Sequence, residues 1–512
     1  MTGAESVLKT LAGSGVEACF ANPGTSEMHL VAALDDTPEV RPVPTLFEGV
    51  ASGAADGYGR MAGRPAATLL HLGPGLGNAF ANLHNAYKAR TPIVNVVGDH
   101  AVMHRPLGAP LASDIESVAR PVSNWLLTTR DARSAATDAA AAVAAARQGG
   151  IATLIVPADA GWEPSAGAAP PVSVPPGPPV PEEAVEAAAR ALRADAPAAI
   201  LLGGPVARGA GLRAAARIAA HTGAQLFHDT FAPRIERGAG VPAVRQLPYL
   251  TDMAIQALAE LGHLVTAGTH APVGFFAYPD LPSRLAADDT RVSVLAGPRE
   301  DAAAALEALA DLLGAPHVSG PEPPPRPAPP TGGAIDAEAL GAAVAATLPE
   351  RAIVVDESVT FAAPILAATA AAPAHDWLTV TGGSIGFGLP AATGAAVACP
   401  DRPVLCLDGD GSAMYTIQSL WTQARESLNV VNVIVANRSY AILDFEMTRM
   451  GAVGGRAAGE LFDIGRPALD FVGVAASMGV PGRRVDDAAS LTEALREAFA
   501  EPGPRLIEAV TG

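Results

Sequence analysis

A strand–turn–helix–strand pattern near the C-terminus constrains the fold of this chain more than any other feature. An apolar run at Val404–Leu407 is typical of a buried strand, and it leads into a glycine turn that bears Asp410. A helical pattern follows from about Thr416 to Arg425, and a second apolar run at Val430–Val435 ends just before Asn437. Because parallel strands need a crossover connection, this order predicts a βαβ unit.

The residues at the two strand ends suit a metal ion and a diphosphate. Gly409 and Gly411 let the backbone approach a phosphate closely, and a helix start offers free N–H groups to an anion. Asp410 and the amide oxygen of Asn437 are hard oxygen ligands of the kind that Mg²⁺ takes together with phosphates and water. The pattern therefore predicts a magnesium–diphosphate site, and the alternative is an ordinary βαβ turn with an incidental aspartate.

The rest of the chain repeats the alternation of short apolar runs and helical patterns that is typical of parallel sheets. The length of 512 residues indicates about three domains, and two proline-rich stretches divide the chain into thirds. The predicted fold is therefore α/β, with three doubly wound parallel-sheet domains. Their predicted limits are 1–162, 183–316 and 336–512, with linkers at 163–182 and 317–335.

Predicted strands fall in all three parts of the chain. They are Ala18–Ala21, Ala67–Leu70, Ile93–Val97, Thr153–Val156, Ala199–Leu202, Gln225–Phe227, Leu264–Thr266, Val292–Leu295, Ile353–Val355, Pro403–Leu407, Val430–Val435 and Leu506–Ala509. The first and last parts also resemble each other, because a small-residue helix (Gly49–Gly59 or Gly388–Ala398) precedes Arg-Pro, a strand and a glycine loop (Gly73–Gly77 or Gly409–Gly411) in each. This order suggests duplicated domains, although an alanine-rich composition alone could produce part of it.

Charge, apolar runs and cysteine content indicate which partners and which compartment suit this chain. The net charge of −18, from 34 basic and 52 acidic residues, argues against a nucleic acid or an anionic membrane. No uninterrupted apolar run reaches the ~18 residues of a membrane span, and no signal peptide is apparent. Cys19, Cys399 and Cys406 are few, odd in number and not spaced as a metal site, which fits a reducing compartment. We therefore predict a cytoplasmic protein.

Together with the metal–diphosphate pattern, the order of the three predicted domains resembles thiamine diphosphate enzymes of the acetolactate synthase, pyruvate oxidase and benzoylformate decarboxylase group. The N-terminal motifs are most similar to benzoylformate decarboxylase and to acetolactate synthase-like proteins. The resemblance implies a pyrimidine-binding domain, a middle domain and a diphosphate-binding domain in chain order. It also implies that thiamine diphosphate and Mg²⁺ are cofactors, with Mg²⁺ held by Asp410, Asn437 and Ser439.

Glu48 precedes the first small-residue helix and matches the activating glutamate of this family. In the family, that carboxyl bonds the aminopyrimidine ring of the cofactor and favours the tautomer that removes the C2 proton. The glutamate reaches cofactor held by the other subunit, so the resemblance implies a homodimer as the minimum active unit and a homotetramer as the expected assembly. The alternative role for Glu48 is an interaction with the helix dipole.

The run Thr381–Pro390 resembles the loop that supports the bent cofactor. Ile385 would lie as an apolar wedge between the two cofactor rings, and the carbonyl of Gly383 would accept from the aminopyrimidine. The alternative is a glycine-rich helix entry. The other cofactor-binding residues that the resemblance implies are Ser358, Gly409, Asp410, Gly411, Ser412, Asn437, Ser439 and Tyr440.

Two further residues match positions that act on the substrate in benzoylformate decarboxylase. His71 ends a predicted strand, where the family's histidine handles protons, and an imidazole that titrates near neutral pH suits that role. Thr25 lies in an Asn-Pro-Gly-Thr run similar to Asn-Pro-Gly-Ser, whose hydroxyl contacts the substrate carboxylate. The alternatives are a structural histidine and an N-cap before a helix at Met28–Leu34.

The chain departs from the family at the substrate end. The family's second catalytic histidine aligns with Ala277, so this chain lacks a histidine at that position. His270 lies a few residues earlier in the sequence and need not replace it. Ile442, Leu443 and Glu446 are predicted to line the substrate pocket. Glu446 takes the place of an apolar aromatic residue, which argues against an aryl substrate.

Two other features bear on cofactor content and access. FAD is not expected, because neither the flavin-clasping motifs of acetolactate synthases nor a Gly-x-Gly-x-x-Gly fingerprint is evident. The glycine-rich stretch Gly451–Gly459 is predicted to act as a mobile lid.

The resemblance thus implies an enzyme that decarboxylates a 2-oxo acid, or joins it to a second carbonyl compound, through an enamine intermediate. The missing second histidine favours carboligation, because slow protonation lengthens the life of that intermediate, whereas His71 and Thr25 favour decarboxylation. An acetolactate synthase-type carboligase and a 2-hydroxyacyl lyase share the same core and are alternatives. A cofactor-binding pseudoenzyme is a more distant alternative, since Glu48 is present.

Overall fold

The computed structural model describes residues 1–317, 320, 322 and 324–511. Within these residues the strands form three sheets of six, five and seven strands, and almost all neighbouring strands are parallel. The predicted α/β class with several parallel sheets is confirmed. Residues 318, 319, 321 and 323 of the second predicted linker lie outside the described residues.

The first sheet comes from the N-terminal part of the chain, in the order β2-β1-β3-β4-β6-β5. Its strands are β1 (Ala18–Asn22), β2 (Arg41–Pro44), β3 (Ala66–His71), β4 (Ile93–Asp99), β5 (Trp125–Thr128) and β6 (Ile151–Pro157). The helices are α1 (Gly3–Gly13), α2 (Met28–Asp35), α3 (Glu48–Ala62), α4 (Leu72–Ala89), α5 (Ile115–Ala119), α6 (Ala135–Arg147) and α7 (Ala158–Trp162). Leu69 packs into one buried cluster and Leu70 into another, so helices cover both faces of this sheet.

The second sheet has the order β10-β8-β7-β11-β12. Its strands, with β9 between them in the chain, are β7 (Ala198–Leu202), β8 (Gln225–His228), β9 (Ile235–Arg237), β10 (Arg245–Gln246), β11 (His263–Ala267) and β12 (Arg291–Ala296). The helices are α8 (Glu182–Arg193), α9 (Gly209–Thr222), α10 (Thr251–Leu258) and α11 (Ala302–Leu313). In the first predicted linker, residues 165–181 lie in neither helix nor strand. The limits of the domains stay a prediction.

The third sheet has the order β17-β18-β16-β15-β13-β14-β9, in which β9 pairs antiparallel with β14. Its further strands are β13 (Ile353–Glu357), β14 (His375–Thr379), β15 (Val404–Gly409), β16 (Val430–Ala436), β17 (Gly482–Val485) and β18 (Arg505–Val510). The helices are α12 (Ala337–Thr347), α13 (Ala362–Ala368), α14 (Gly388–Ala398), α15 (Asp410–Ala413), α16 (Ser419–Arg425), α17 (Ala441–Arg449), α18 (Arg456–Phe462), α19 (Phe471–Ser477) and α20 (Ala488–Ala500).

The first and third sheets share one topology. When the strands of each part are numbered from its own first strand, both sheets have the order 2-1-3-4-6-5, apart from the added β9. The two small-residue helices, α3 and α14, pack directly on each other. A side chain at Gly57 would clash with the carbonyl of Ala391, and one at Gly394 would clash with that of Ala54. The small residues are therefore needed for this close helix contact.

The structure corrects several local predictions. The helix expected from Thr416 begins at Ser419, because a short helix and turns occupy the residues after Asp410. The predicted glycine loop Gly73–Gly77 is the beginning of α4, where Pro74 fits because first-turn N–H groups have no helical partner. Strands β2, β5, β9, β10, β14 and β17 were not predicted. Among the described residues there is no helix with both the length and the apolarity to cross a membrane.

Candidate active site

A cleft opens at the C-terminal edge of the third sheet, where β13, β15 and β16 end. Asp410 follows β15 directly, and Asn437 follows β16, the adjacent strand. The residues that line the cleft are Ser358, Val359, Thr360, Phe361, Ile385, Gly411, Ser412, Val435, Asn437, Ser439, Tyr440, Ala441 and Ile442. Most of the residues predicted to bind cofactor are among them. Gly383, Gly409 and Asp410 are not, although Gly409 and Asp410 directly precede Gly411.

The Asp410 carboxylate joins the two strand-end loops. Its side chain is buried, and Oδ1 accepts from the Gly411 N–H at 2.9 Å while Oδ2 accepts from the Arg438 N–H at 2.6 Å. Burial raises the pKa of this carboxyl, and the two N–H groups oppose that rise by stabilising the charged form. Because Arg438 adjoins Asn437, the second bond brings the aspartate and the asparagine to the same point of the sheet edge.

The loop that bears Asn437 is fixed from both sides. Asn437 Oδ1 accepts from the Ser439 N–H at 2.9 Å, and the Tyr440 N–H donates to the carbonyl of Phe462 at 2.9 Å. The Tyr440 ring lies so close to Gly411 that any side chain there would clash with it. Glycine at position 411 is therefore needed for the Tyr440 ring to pack against this turn.

The donor set of these loops fits Mg²⁺ and a diphosphate. A carboxylate, an amide oxygen and a hydroxyl are hard ligands, and they leave coordination positions for phosphate oxygens and water. In the part of the chain that the structure describes, no group of three or more His, Cys, Asp or Glu side chains is placed to hold a metal ion by itself. A metal at this edge would therefore depend on oxygens from a ligand.

The loop before α14 is held by a buried carboxylate that sequence reasoning missed. Glu357 accepts from the N–H groups of Gly386, Phe387 and Gly388 at 3.1, 2.8 and 2.7 Å. Burial raises the pKa of Glu357 to about 8. Its signal in the sequence was its place at the end of a predicted strand, beside Ser358. Glu357 fixes the backbone that follows Ile385.

A second cluster gathers at the C-terminal edge of the first sheet. Glu48 begins α3, and its Oε2 accepts from the Asn78 amide at 3.0 Å. A Cβ atom built on Gly75 would lie 3.1 Å from Glu48 Oε1 and 3.3 Å from His71 Cβ. Glu48 and His71 therefore both lie close to Gly75, and the structure brings these two predicted catalytic residues together.

His71 is paired with Glu27, a residue that was not predicted. His71 Nδ1 lies 2.8 Å from Glu27 Oε2, which also accepts from the Gly24 N–H at 2.8 Å. Burial raises the pKa of Glu27. A carboxylate at Nδ1 orients the imidazole and leaves Nε2 as the ring nitrogen available for other partners. A glutamate three residues after Gly24 was the available signal, because this is the spacing of a capping box.

Thr25 does not cap α2. It is exposed within a single 3₁₀ turn, Thr25–Glu27, and the residue at the N-cap of α2 is Glu27, which makes no side-chain cap bond. The structural alternative for Thr25 is therefore wrong, while its contact with substrate stays a prediction.

Ile442, Leu443 and Glu446, which are predicted to line the substrate pocket, have different surroundings. Ile442 lines the cleft, but Leu443 is 45% exposed and is not among the lining residues. Glu446 is buried, and its Oε2 accepts from the Tyr278 hydroxyl at 2.7 Å. Ala277 and His270 are exposed. Of the predicted lid, Gly451 and Gly454 precede α18 whereas Gly459 lies inside it.

Comparison with known proteins defines the class. Residues 1–118 match the family model described as thiamine pyrophosphate enzyme, N-terminal TPP binding domain. Residues 362–509 match the model of the C-terminal TPP binding domain. The chain therefore belongs to the thiamine pyrophosphate enzyme family.

Individual relatives show which proteins of this family the chain is similar to. The chain is 55% identical to the Mycobacterium tuberculosis protein named "Putative acetolactate synthase large subunit IlvX", over 100% of this chain and 99% of that protein. It is 29% identical to benzoylformate decarboxylase of Pseudomonas aeruginosa, with 97% and 96% covered. The solved thiamine diphosphate-dependent 4-hydroxybenzoylformate decarboxylase of Rhodococcus jostii RHA1 superimposes with a TM-score of 0.86 at 24% identity, covering 100% of this chain and 99% of that one. The predicted placement among thiamine diphosphate enzymes of the acetolactate synthase and benzoylformate decarboxylase group is confirmed.

Proposed function

We propose that this enzyme uses thiamine diphosphate and Mg²⁺ to act on a 2-oxo acid, by non-oxidative decarboxylation, by carboligation or by both. The observation that supports this most is the bond from the Arg438 N–H to Asp410, which sets Asp410 and Asn437 side by side at the cleft. Thiamine diphosphate, when bound, supplies the electron sink for breaking a bond next to a carbonyl carbon. The chain contributes the metal ligands, the position of the loop with Ile385 and the control of protons at Glu48 and His71.

The cleft is proposed to be completed by a second copy of the chain. Glu48 is not among the residues that line the cleft of its own chain. A homodimer in which Glu48 of each copy reaches the other copy's cleft would supply the missing carboxyl. This is the assembly that the family resemblance implies, and the homotetramer stays a prediction.

A panel of 2-oxo acids tests the proposed function. Purified protein with thiamine diphosphate and Mg²⁺ is incubated with each acid, and CO₂, aldehyde and acyloin are measured together. Release of CO₂ with aldehyde supports decarboxylation, and acyloin as the main product supports an acetolactate synthase-type carboligase. Cleavage of 2-hydroxyacyl compounds alone would indicate the lyase alternative. Tight cofactor binding without any turnover would contradict the proposal and support a pseudoenzyme.

His71→Ala is expected to raise the share of acyloin relative to aldehyde. The pairing with Glu27 holds the imidazole at the cluster with Glu48, where it can deliver a proton during aldehyde release. Without it, protonation slows more than decarboxylation, and an added aldehyde acceptor captures more of the product. The measurement is the product ratio for wild type and variant with the same 2-oxo acid. An unchanged ratio with both rates intact would show that His71 is structural.

Glu446→Leu is expected to shift selectivity toward aryl 2-oxo acids. Glu446 lies one helical turn after Ile442 on the same face of α17, and Tyr278 holds its carboxylate in place. An apolar replacement removes a buried polar carboxyl group, which is an unfavourable neighbour for an aromatic ring. We expect the kcat/KM for phenylglyoxylate relative to pyruvate to rise about tenfold. Asp444→Asn, an exposed change on the same helix, is the control, and equal ratios in both variants would contradict a role for Glu446 in selectivity.

A further inference from the structure

Three asparagines on α4 connect the start of α3, which bears Glu48, with the loop before α14, which bears Ile385. Asn78, Asn82 and Asn85 follow a spacing that places them on one side of a helix. Asn82 is 2% exposed and Asn85 is fully buried. Burying an amide is costly unless it is hydrogen-bonded, so the partners of these side chains show what they hold in place.

Asn82 bonds the start of α3 to the loop before α14. Its Nδ2 donates to the carbonyl of Gly49 at 2.9 Å and to the carbonyl of Gly386 at 3.0 Å. Gly49 adjoins Glu48, and Gly386 follows Ile385 in the chain. A single side-chain amide thus connects the start of α3 with the loop that bears the predicted cofactor wedge.

Asn85 and Asn78 extend the connection in both directions. Asn85 Nδ2 donates to the carbonyl of Ser384 at 2.7 Å, and its Oδ1 accepts from the Ser384 N–H at 3.2 Å. Asn85 Nδ2 also donates to Asn82 Oδ1 at 3.1 Å, which orients the Asn82 amide. At the other end, Asn78 donates to Glu48 itself.

The loop between β14 and α14 requires such support. Gly383 and Gly386 have φ angles of +70° and +92°. Glycine adopts these conformations readily but also leaves them readily, because it has no side chain to restrict the backbone. The hydrogen bonds from Asn82 and Asn85, together with those that join Glu357 and Thr416 to Gly386, keep the loop in one conformation.

We propose that Asn82, oriented by Asn85, is a positioning residue of the active site. It fixes the loop of Gly383 and Ile385, which would support the cofactor of its own chain, against the start of α3, whose Glu48 would reach the cofactor of the second copy. One side chain therefore holds in place what the chain contributes to both clefts of the proposed homodimer. The proposal rests on the proposed function, because it takes Ile385 as cofactor support and Glu48 as the activating residue.

The test is Asn82→Ala, which removes both donated hydrogen bonds. The Kd for thiamine diphosphate in the presence of Mg²⁺, measured by calorimetry, should rise about 10- to 100-fold, the scale of two lost hydrogen bonds. Exchange of the cofactor's C2 proton at saturating cofactor should also slow. Asn82→Ser retains one donor and should produce a smaller change of the same sign. It provides the test if the alanine variant does not fold.

Asn95→Ala is the matched control. Asn95 is another fully buried asparagine of the same part of the chain, bonded to Thr68 and Thr153 within the first sheet. Both alanine variants should lower the Tm, but only the Asn82 variants should change the Kd and the exchange rate. Asn82 variants that bind and exchange like the Asn95 variant would overturn the positioning role. Wild-type protein that does not bind thiamine diphosphate would instead overturn the proposed function.

Discussion

Asp410→Ala should abolish the Mg²⁺-dependent binding of thiamine diphosphate. The substitution removes one of the three proposed side-chain ligands, which follow the ends of two adjacent strands. It also removes the acceptor of the Arg438 N–H, so the loop that bears Asn437 loses its attachment to β15. Removing one member of a buried charged site typically costs about 3–5 kcal/mol, so the Kd measured by calorimetry should rise at least about 100-fold.

Asp401→Ala provides the control for this experiment. Asp401 belongs to the same part of the chain, but its side chain is exposed and pairs with Arg351 at the surface. The control should bind cofactor as the wild type does. Wild-type affinity in the Asp410 variant, or Mg²⁺-independent binding in the wild type, would contradict the metal assignment.

Glu48→Gln should leave cofactor binding intact and slow exchange of the cofactor's C2 proton. Glutamine keeps the shape of the side chain and can still accept from the Asn78 amide. It cannot take part in proton transfer as a carboxyl does, and general acid–base groups contribute about 10²–10⁴-fold to rates. Proton exchange followed by NMR with bound cofactor measures the effect directly.

Glu116→Gln is the matched change for this test, because Glu116 is an exposed glutamate in the same part of the chain. In the Glu116 variant, the C2 proton of the bound cofactor should exchange at the wild-type rate. If the Glu48 variant also exchanges at the wild-type rate, Glu48 is a helix-start residue that interacts with the dipole and has no part in activation.

Much of the fold could be predicted because its central strands are continuous apolar runs. β4, β6 and β16 are buried along their length, and their sequences show it directly. β2 was missed because it contains two prolines, and β14 because it begins with a histidine and an aspartate. Those strands form because neighbours pair with them, which is information that local sequence does not contain.

The same limit applies to the candidate site. Asp410 and Asn437 could be predicted because each follows a recognisable strand and needs only the order of the chain. Glu27 and Glu357 had only weak signals, a capping-box spacing and a strand end. Their roles depend on partners distant in sequence, such as His71 and the N–H groups before α14. The role of Asn82 could not be predicted, because its two carbonyl partners, on Gly49 and Gly386, are far apart in the sequence.

The antiparallel strand β9 has a consequence for how the chain can be divided. A fragment that starts after the second proline-rich stretch would contain Asp410, Asn437 and the whole cleft, but not β9. β14 would then become the outer strand of its sheet, with unpaired backbone groups along the side that β9 now covers. Such edges recruit strands from other molecules, so the fragment would tend to aggregate. The C-terminal part is therefore not expected to stay monomeric when it is produced alone. The three residues of β9, from the middle of the chain, cover the edge through which its copies would associate.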